Sequence, residues 1–472
     1  MIPFTKREKS GIILYLSAPG AKKGVDVAEQ ALSDVKVLDL IWYISGPYAA
    51  MLLADWGAEV IRVESCQHFP MYTRGVMMKM PFELVKSRVG YANHCKPSYN
   101  PDTAHNTFLL FNAHARNKLG MTVNLRTPKG MDIFKRLIKV SDVFIENNSP
   151  RVKEHLGITW EDLKEVNPRL IYLSLPGFGG SGPYKNYRAL GAHQEGFGGH
   201  TYMRGYVDEE PTATSTIYHT DEAGGINAAF AIVMALYQRQ KTGKGQYIDM
   251  AQVEASIPHL AQAVMDYTMN RRITERMGNR DFHGAVQGCY RCKDVRGKWV
   301  PGGMGMPPME IVDTWVNITI SNDQEWQGFC RALGNPDWTK EERFSDSLSR
   351  YKNHDELDKL IGEWTREHDA CEVMHLLQKE GVPAGPVLDE KDAYSDPHLR
   401  ARGFFEELTH ADCGTHLYPG LAFRMSKTPN QLRLPPVPLG EHNEYVYKEI
   451  LKVSDEEYAE LEKEGHIGTE FV

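Results

Sequence analysis

The stretch VKVLDLIWYISGPYAAMLLADWGAEVIRV, residues 35–63, decides the fold. Its first six residues carry the branched, apolar side chains of a buried strand. Gly46 and Pro47 then open a helix through Tyr48, Ala49, Leu52, Leu53 and Trp56. Pro47 falls near the first turn, where a missing N–H leaves no hydrogen bond broken. Gly57 closes the helix, and residues 59–63 (EVIRV) supply the next strand. Strand, helix and strand in so short a span form a β-α-β unit of the nucleotide-binding kind. The fold class it predicts is α/β, built on a Rossmann-like sheet. No G-x-G-x-x-G follows the first strand, so a dinucleotide is not indicated.

The alternation continues outward. Residues 122–125, 142–145, 170–175 (LIYLSL) and 246–250 read as strands. Residues 128–140 read as a helix capped by Thr127, with further helices over 160–166 and 253–269. Residues 66–107 are polar, aromatic and Met-rich; so long a connection is usually functional. The texture changes near residue 280. Strands at 289–293 and 315–320 and helices at 323–333 and 355–379 read as a smaller α+β unit, which Pro383-Ala384-Gly385-Pro386 ends. Short strands and proline turns fill 387–447, and a charged helix covers 455–464.

The net charge of -8, with no basic run, argues against nucleic-acid binding. No apolar run approaches the ~20 residues of a membrane span, and the first 31 residues lack a signal-peptide core. The seven cysteines are odd in number and scattered, which fits reduced thiols and a cytoplasmic protein. Cys289 and Cys292 form a CxxC with no second pair to complete a zinc site, so no metal is expected.

Two stretches carry candidate chemistry. In His219-Thr220-Asp221-Glu222-Ala223-Gly224-Gly225, Thr220 or Asp221 is placed at the N-cap of an apolar, buried helix over 226–237. A carboxylate there faces the positive end of the helix dipole, which favours its ionised form. Gly224 and Gly225 leave room for a ligand backbone. An open, ionised carboxylate suits a nucleophile, although an ordinary N-cap is the commoner meaning of such a pattern. The loop of residues 176–184 (PGFGGSGPY) holds four glycines whose N–H groups can approach a ligand oxygen, or it is a flexible connector.

Several pieces together resemble the class III CoA-transferase family, which includes formyl-CoA transferase, carnitine CoA-transferase and acyl-CoA racemases. They are VLDL and SGPYAAMLLADWGAEVIRVES within 37–65, TVNLRTPKG (122–130), SDVFIENNSP (141–150), NPRLIYLSLPGFGGSGPY (167–184), the Asp221 stretch, KTGKGQYIDMAQVEA (241–255), GVPAGPV (381–387) and LGEH (439–442). The resemblance covers residues 35–450 in the family's order. It implies a large Rossmann-like domain made from both chain ends: an N-terminal extension (1–34), the first part of the large, CoA-binding domain (35–279), a small domain (280–386) and a return to the large domain (387–472). It also implies an interlocked homodimer, or a heteromer with a related subunit.

Asp221 matches the family's nucleophilic aspartate. The implied reaction moves CoA from an acyl-CoA donor to an organic acid through an aspartyl anhydride and an aspartyl-CoA thioester. CoA thioesters are then substrates, and no tightly bound cofactor is expected. Positions matching the family's CoA contacts are Ile44, Ser45, Val123, Asn124, Leu125, Arg126, Asn147 and Arg188, the arginines being suited to phosphates. Ser65 and His155 stand where relatives carry arginine, which leaves Arg62, Arg116 or Lys118 to replace those contacts. The acid that racemases pair with histidine falls on Gly191. A two-base racemisation lacks one base there; Glu195 is the nearest substitute, although a loop glutamate is usually solvated. The glycine-rich flap aligns near His283-Gly284-Ala285, with Gly302-Gly303-Met304-Gly305 as a stand-in. Phe69, Tyr72, Met77, Met78, Met80, Phe82, Met304 and Met306 suit an adaptable apolar pocket and an acceptor larger than oxalate. The alternatives are a CoA-ester isomerase or racemase, or the non-catalytic subunit of a heteromeric transferase.

Overall fold

The computed structural model describes residues 30–87, 94, 95, 99–210, 219–281, 284, 286–295 and 313–472. The N-terminal extension up to residue 29, the 302–305 glycines, Met304 and Met306, and most of the aligned flap lie outside them.

Six strands form one sheet: β1 (Lys36–Leu40), β2 (Glu59–Glu64), β3 (Lys118–Thr122), β4 (Val143–Glu146), β5 (Ile171–Ser174) and β6 (Gln246–Asp249). All pairs are parallel, in the order β3-β2-β1-β4-β5-β6. This is the doubly wound order, with its switch point between β1 and β4. Alternation splits the side chains. Val37, Val60, Val143 and Ile171 pack on one face beneath α1 (Ser45–Asp55) and the long helix His219–Thr242. Leu38, Ile61, Phe144 and Tyr172 pack on the other, against the helix Pro128–Val140 and against Val446, Tyr447, Leu461 and Ile467 from the chain's end. The C-terminal segment is therefore part of this core.

A second, antiparallel sheet of β7 (Val286–Arg291), β8 (Trp315–Ile320) and β9 (Ala384–Val387) closes its own core with Trp326, Phe329, Ile361 and Val373. Phe405–His410 and Gly414–Pro419 form a separate hairpin. The protein is thus α/β, with a parallel six-stranded sheet and smaller antiparallel ones.

Several elements differ from the sequence reading. The strand expected at 122–125 runs over Lys118–Thr122, so Val123, Asn124 and Leu125 lie past its end. The helix expected over 253–269 is three pieces, Gln252–Ser256, Ile257–Leu260 and Ala261–Asn270, broken at Pro258, whose ring removes a donor. The 355–379 helix is interrupted at Asp369, which caps Ala370–Lys379 through the N–H groups of Cys371 and Glu372. The helix of residues 226–237 is only half buried: Ile226, Phe230, Met234 and Tyr237 are each more than half exposed. Among the described residues no helix is long and apolar enough to cross a membrane.

A buried ionic layer joins the insertion after β2 to the sheet. Arg74 donates to both oxygens of Glu64 at 2.7 and 2.6 Å, and also to Asn106 and the Val437 carbonyl. Arg62 lies between Glu64 and Asp39, and Lys118 donates to Asp39 at 2.9 Å and to the Pro47 carbonyl at 3.0 Å. Arg116 pairs with Asp55 at 2.8 Å. Arg62, Arg116 and Lys118 are thus buried and engaged within the fold, which corrects their reading as nucleotide contacts. The Met-rich insertion also packs on itself. Met80 is buried with Val85 and Ala104, Phe82 stacks on Tyr99, and Phe69 meets Phe471 edge-on.

Candidate active site

In a parallel sheet all strands end on one rim, and the matched positions collect there. Ile44 and Ser45 follow β1, Val123 to Arg126 follow β3, and Asn147 follows β4. Asn147 closes the switch point: Trp42 N–H donates to its Oδ1 at 3.0 Å, and its Nδ2 donates to the Trp42 carbonyl at 2.8 Å. Asn124 accepts from Arg126 N–H and turns the chain into the helix Pro128–Val140, where Thr127 caps Gly130 N–H. The Arg126 and Arg188 side chains are solvent-exposed. Ser45 is 2% exposed, and its hydroxyl has no hydrogen-bond partner among the described residues. Doubly wound folds bind ligands outside the carboxyl ends of the strands, at such a switch point.

Two further helices matter here: α2 (Gly191–Phe197) and α3 (His219–Thr242). The C-terminus of α3 feeds β6, so its first turn, with Asp221, stands on the same rim. Gly224 and Gly225 fix how close it comes to α1. A Cβ on Gly224 would lie 2.6 Å from Ser45 Oγ, and one on Gly225 2.7 Å from the Ser45 carbonyl oxygen. The two glycines thus admit the start of α1, not a ligand backbone as the sequence suggested. The result is still useful to a site, because it packs the Asp221 turn directly on Ser45.

Asp221 is buried within the first turn, after Thr220. Burial, with the neighbouring charges of Glu222 and Glu195, pushes its pKa up to about 7. The helix dipole was expected to favour the ionised form; desolvation and two like charges outweigh it.

Glu195 is the residue sequence reasoning undervalued. It sits on α2, 3% exposed, not on a solvated loop. Its Oε1 accepts from Thr220 N–H at 2.6 Å and from the Thr220 hydroxyl at 2.8 Å. Its Oε2 meets His200 Nδ1 and accepts from Arg204 at 3.2 Å. Gly191, where racemases carry their acid, is the first residue of the same helix. His219 Nε2 lies 2.6 Å from His259 Nδ1, which extends the polar rim. The glycine-rich loop is anchored: Gly180 N–H donates to Asp249 Oδ1 at 2.7 Å, while Gly179 and Gly182 take positive φ. Among the described residues no cluster of three metal-ligating side chains occurs, and all seven cysteines are free.

The parallel sheet carries a buried carboxylate, Asp221, on the rim where its strands end. The profile of CoA-transferase family III matches residues 32–309 and 302–443, and the chain belongs to that family. It is 30% identical over 431 residues to the succinyl-CoA–D-citramalate CoA-transferase of Chloroflexus aurantiacus, covering 91% of this chain and 96% of that one. It is 29% identical over 445 residues to the alpha subunit of the succinyl-CoA–L-malate CoA-transferase of Chloroflexus aurantiacus, covering 94% of each. A crystal structure of a CAIB/BAIF family protein from Brucella suis superposes with a TM-score of 0.73 at 28% identity, covering 89% of this chain and 99% of that one.

Proposed function

We propose that the chain moves CoA from an acyl-CoA donor to a carboxylic acid, with Asp221 as the nucleophile. The supporting observation is the buried Asp221 carboxylate packed one turn from Ser45 at the rim, in a chain of a CoA-transferase family. An Asp221 oxygen attacks the thioester carbonyl; the C–S bond breaks, CoA thiolate leaves and a mixed anhydride remains. The thiolate then attacks the aspartyl carbonyl, the donor acid departs, and an aspartyl-CoA thioester is left. The acceptor carboxylate attacks that thioester, and the released thiolate takes the acceptor acyl group, restoring Asp221. Each tetrahedral intermediate requires donors at its oxyanion, and burial excludes the water that would hydrolyse the anhydride. Ile44, Ser45, Val123, Asn124, Leu125 and Asn147 line the CoA side of this proposed site, with Arg126 and Arg188 for the phosphates.

Incubation with succinyl-CoA, a panel of acids and hydroxylamine, read by peptide mass spectrometry, tests the scheme. The expected result is new CoA esters and a hydroxamate on Asp221. Turnover with Asp221 left unmodified would sink the covalent route.

We further propose the interlocked homodimer. The exposed stripe of Ile226, Phe230, Met234 and Tyr237 on α3, with Val264, Met265 and Tyr267 on the helix Ala261–Asn270, is an apolar surface for a second chain. The related alpha subunit keeps a heteromer in view. Sedimentation equilibrium is expected to give two chains per particle; a monomer at assay concentration would count against it. We also propose the domain limits 35–279, 280–386 and 387–472; the shared core of the first and last and the own core of the middle one support them, and the free thiols support a cytoplasmic placement.

A further inference from the structure

The transfer scheme leaves Glu195, a buried carboxylate whose charge reaches Asp221, without a role. Burial works against the charge of Glu195. The Thr220 N–H and hydroxyl, together with His200, outweigh it and hold its pKa below the ordinary carboxylate range. Glu195 is therefore the member of the pair that ionises first, and Asp221 the member that keeps its proton up to about pH 7. Two carboxylates driven apart in this way have divided their roles.

Thr220 precedes Asp221 in the chain. The first N–H groups of a helix have no acceptor within it, and Glu195 takes one of them. Its grip on both Thr220 donors fixes the backbone of the turn that carries Asp221. We propose that Glu195 is the positioning residue of the Asp221 site, clamping the first turn of α3 through Thr220 and placing a fixed negative charge beside the nucleophile. This rests on Asp221 being the nucleophile. A more basic carboxylate is the better nucleophile once ionised, so the second charge serves the chemistry as well as the geometry. The other titratable groups around the pair are Glu222 and His219 on α3, His200 and Arg204 after α2, His259 on the turn Ile257–Leu260 and Tyr48 on α1.

The test uses the full chain. In Glu195→Gln, the acidic limb of kcat/KM for CoA exchange is expected to move about one pH unit lower, because a like charge is gone. At pH 8 Glu195→Gln, whose amide oxygen can still accept from Thr220, should keep roughly tenfold more activity than Glu195→Ala, in line with the cost of misplacing a reacting group. A second measurement needs no activity. The rise in Tm on Asp221→Asn at pH 8 should be smaller in the Glu195→Gln background than in the parent. An unmoved acidic limb, with equal Tm increments in both backgrounds, overturns the proposal. So does a Glu195→Gln chain of normal Tm that is inactive at every pH, since Glu195 would then act in the chemistry itself. Should Asp221→Asn keep full exchange, the nucleophile reading fails, and the Tm comparison still decides whether Glu195 charges that site.

Discussion

An Asp221→Asn chain should lose CoA exchange by about 10^3-fold or more, the scale on which removal of a covalent nucleophile is felt. It should also melt higher than the parent at pH 8. The second effect follows from the pKa of about 7. The folded chain keeps this proton to higher pH than the unfolded chain, in which an aspartate titrates near 4. The stabilising contribution of the group is therefore complete below pH 4 and is lost as pH rises through 7. A shift of that size is worth on the order of 4 kcal/mol above neutrality, and asparagine, with no charge to bury, avoids it. The Tm of the variant should exceed that of the parent by a few degrees at pH 8, with the gap closing toward pH 4. Activity measured alongside thermal melts checks both halves. A capping aspartate would behave in the opposite way, with activity retained and stability lost. Activity and stability moving in opposite directions is the signature of a site strained for function.

Much of this was legible in the chain. Residues 35–63 declare a β-α-β unit because apolar strand residues, Pro47 and Gly57 each signal locally. What escaped depends on partners far away in sequence. Lys118 opens β3 with its charge met by Asp39 of β1, a distant partner that the sequence does not show, and the strand expected from the sequence starts four residues later. Glu195 looked like a solvated loop residue because Thr220, His200 and Arg204, which hold it, are not its sequence neighbours in any readable pattern. Ile226, Phe230, Met234 and Tyr237 recur at helical spacing. That spacing says a face is apolar, and it does not say whether the same chain covers it. Gly224 and Gly225 were read correctly as making room and wrongly as to what enters, since the entry of α1 is a tertiary fact.

The second large effect belongs to Glu64, and it runs the other way with pH. Burial opposes its charge, yet Arg74 and Arg62 together bring its carboxyl down to about 2. Its ionised form therefore contributes stability above pH 4.5 that is lost as pH falls from there toward 2. Glu64→Gln keeps the volume and removes the charge, leaving two guanidinium groups that are each 1% exposed or less with no carboxylate between them. Breaking one side of a buried ionic cluster costs about 3–5 kcal/mol. Urea unfolding at pH 7 should show a loss of that size, and the variant should lack the part of the parent's acid sensitivity that lies below pH 4.5. The damage should also reach the site. Arg74 ties the 66–107 insertion to β2, and Arg62 shares Asp39 with Lys118, which donates to the carbonyl of Pro47 two residues after Ser45. A Glu64→Gln chain should therefore bind acyl-CoA more weakly even where it remains folded, with KM rising more than kcat falls. Unchanged stability at pH 7 would mean that the two arginines find other counter-charges, and that the layer beneath the rim is not what holds Ser45 in place.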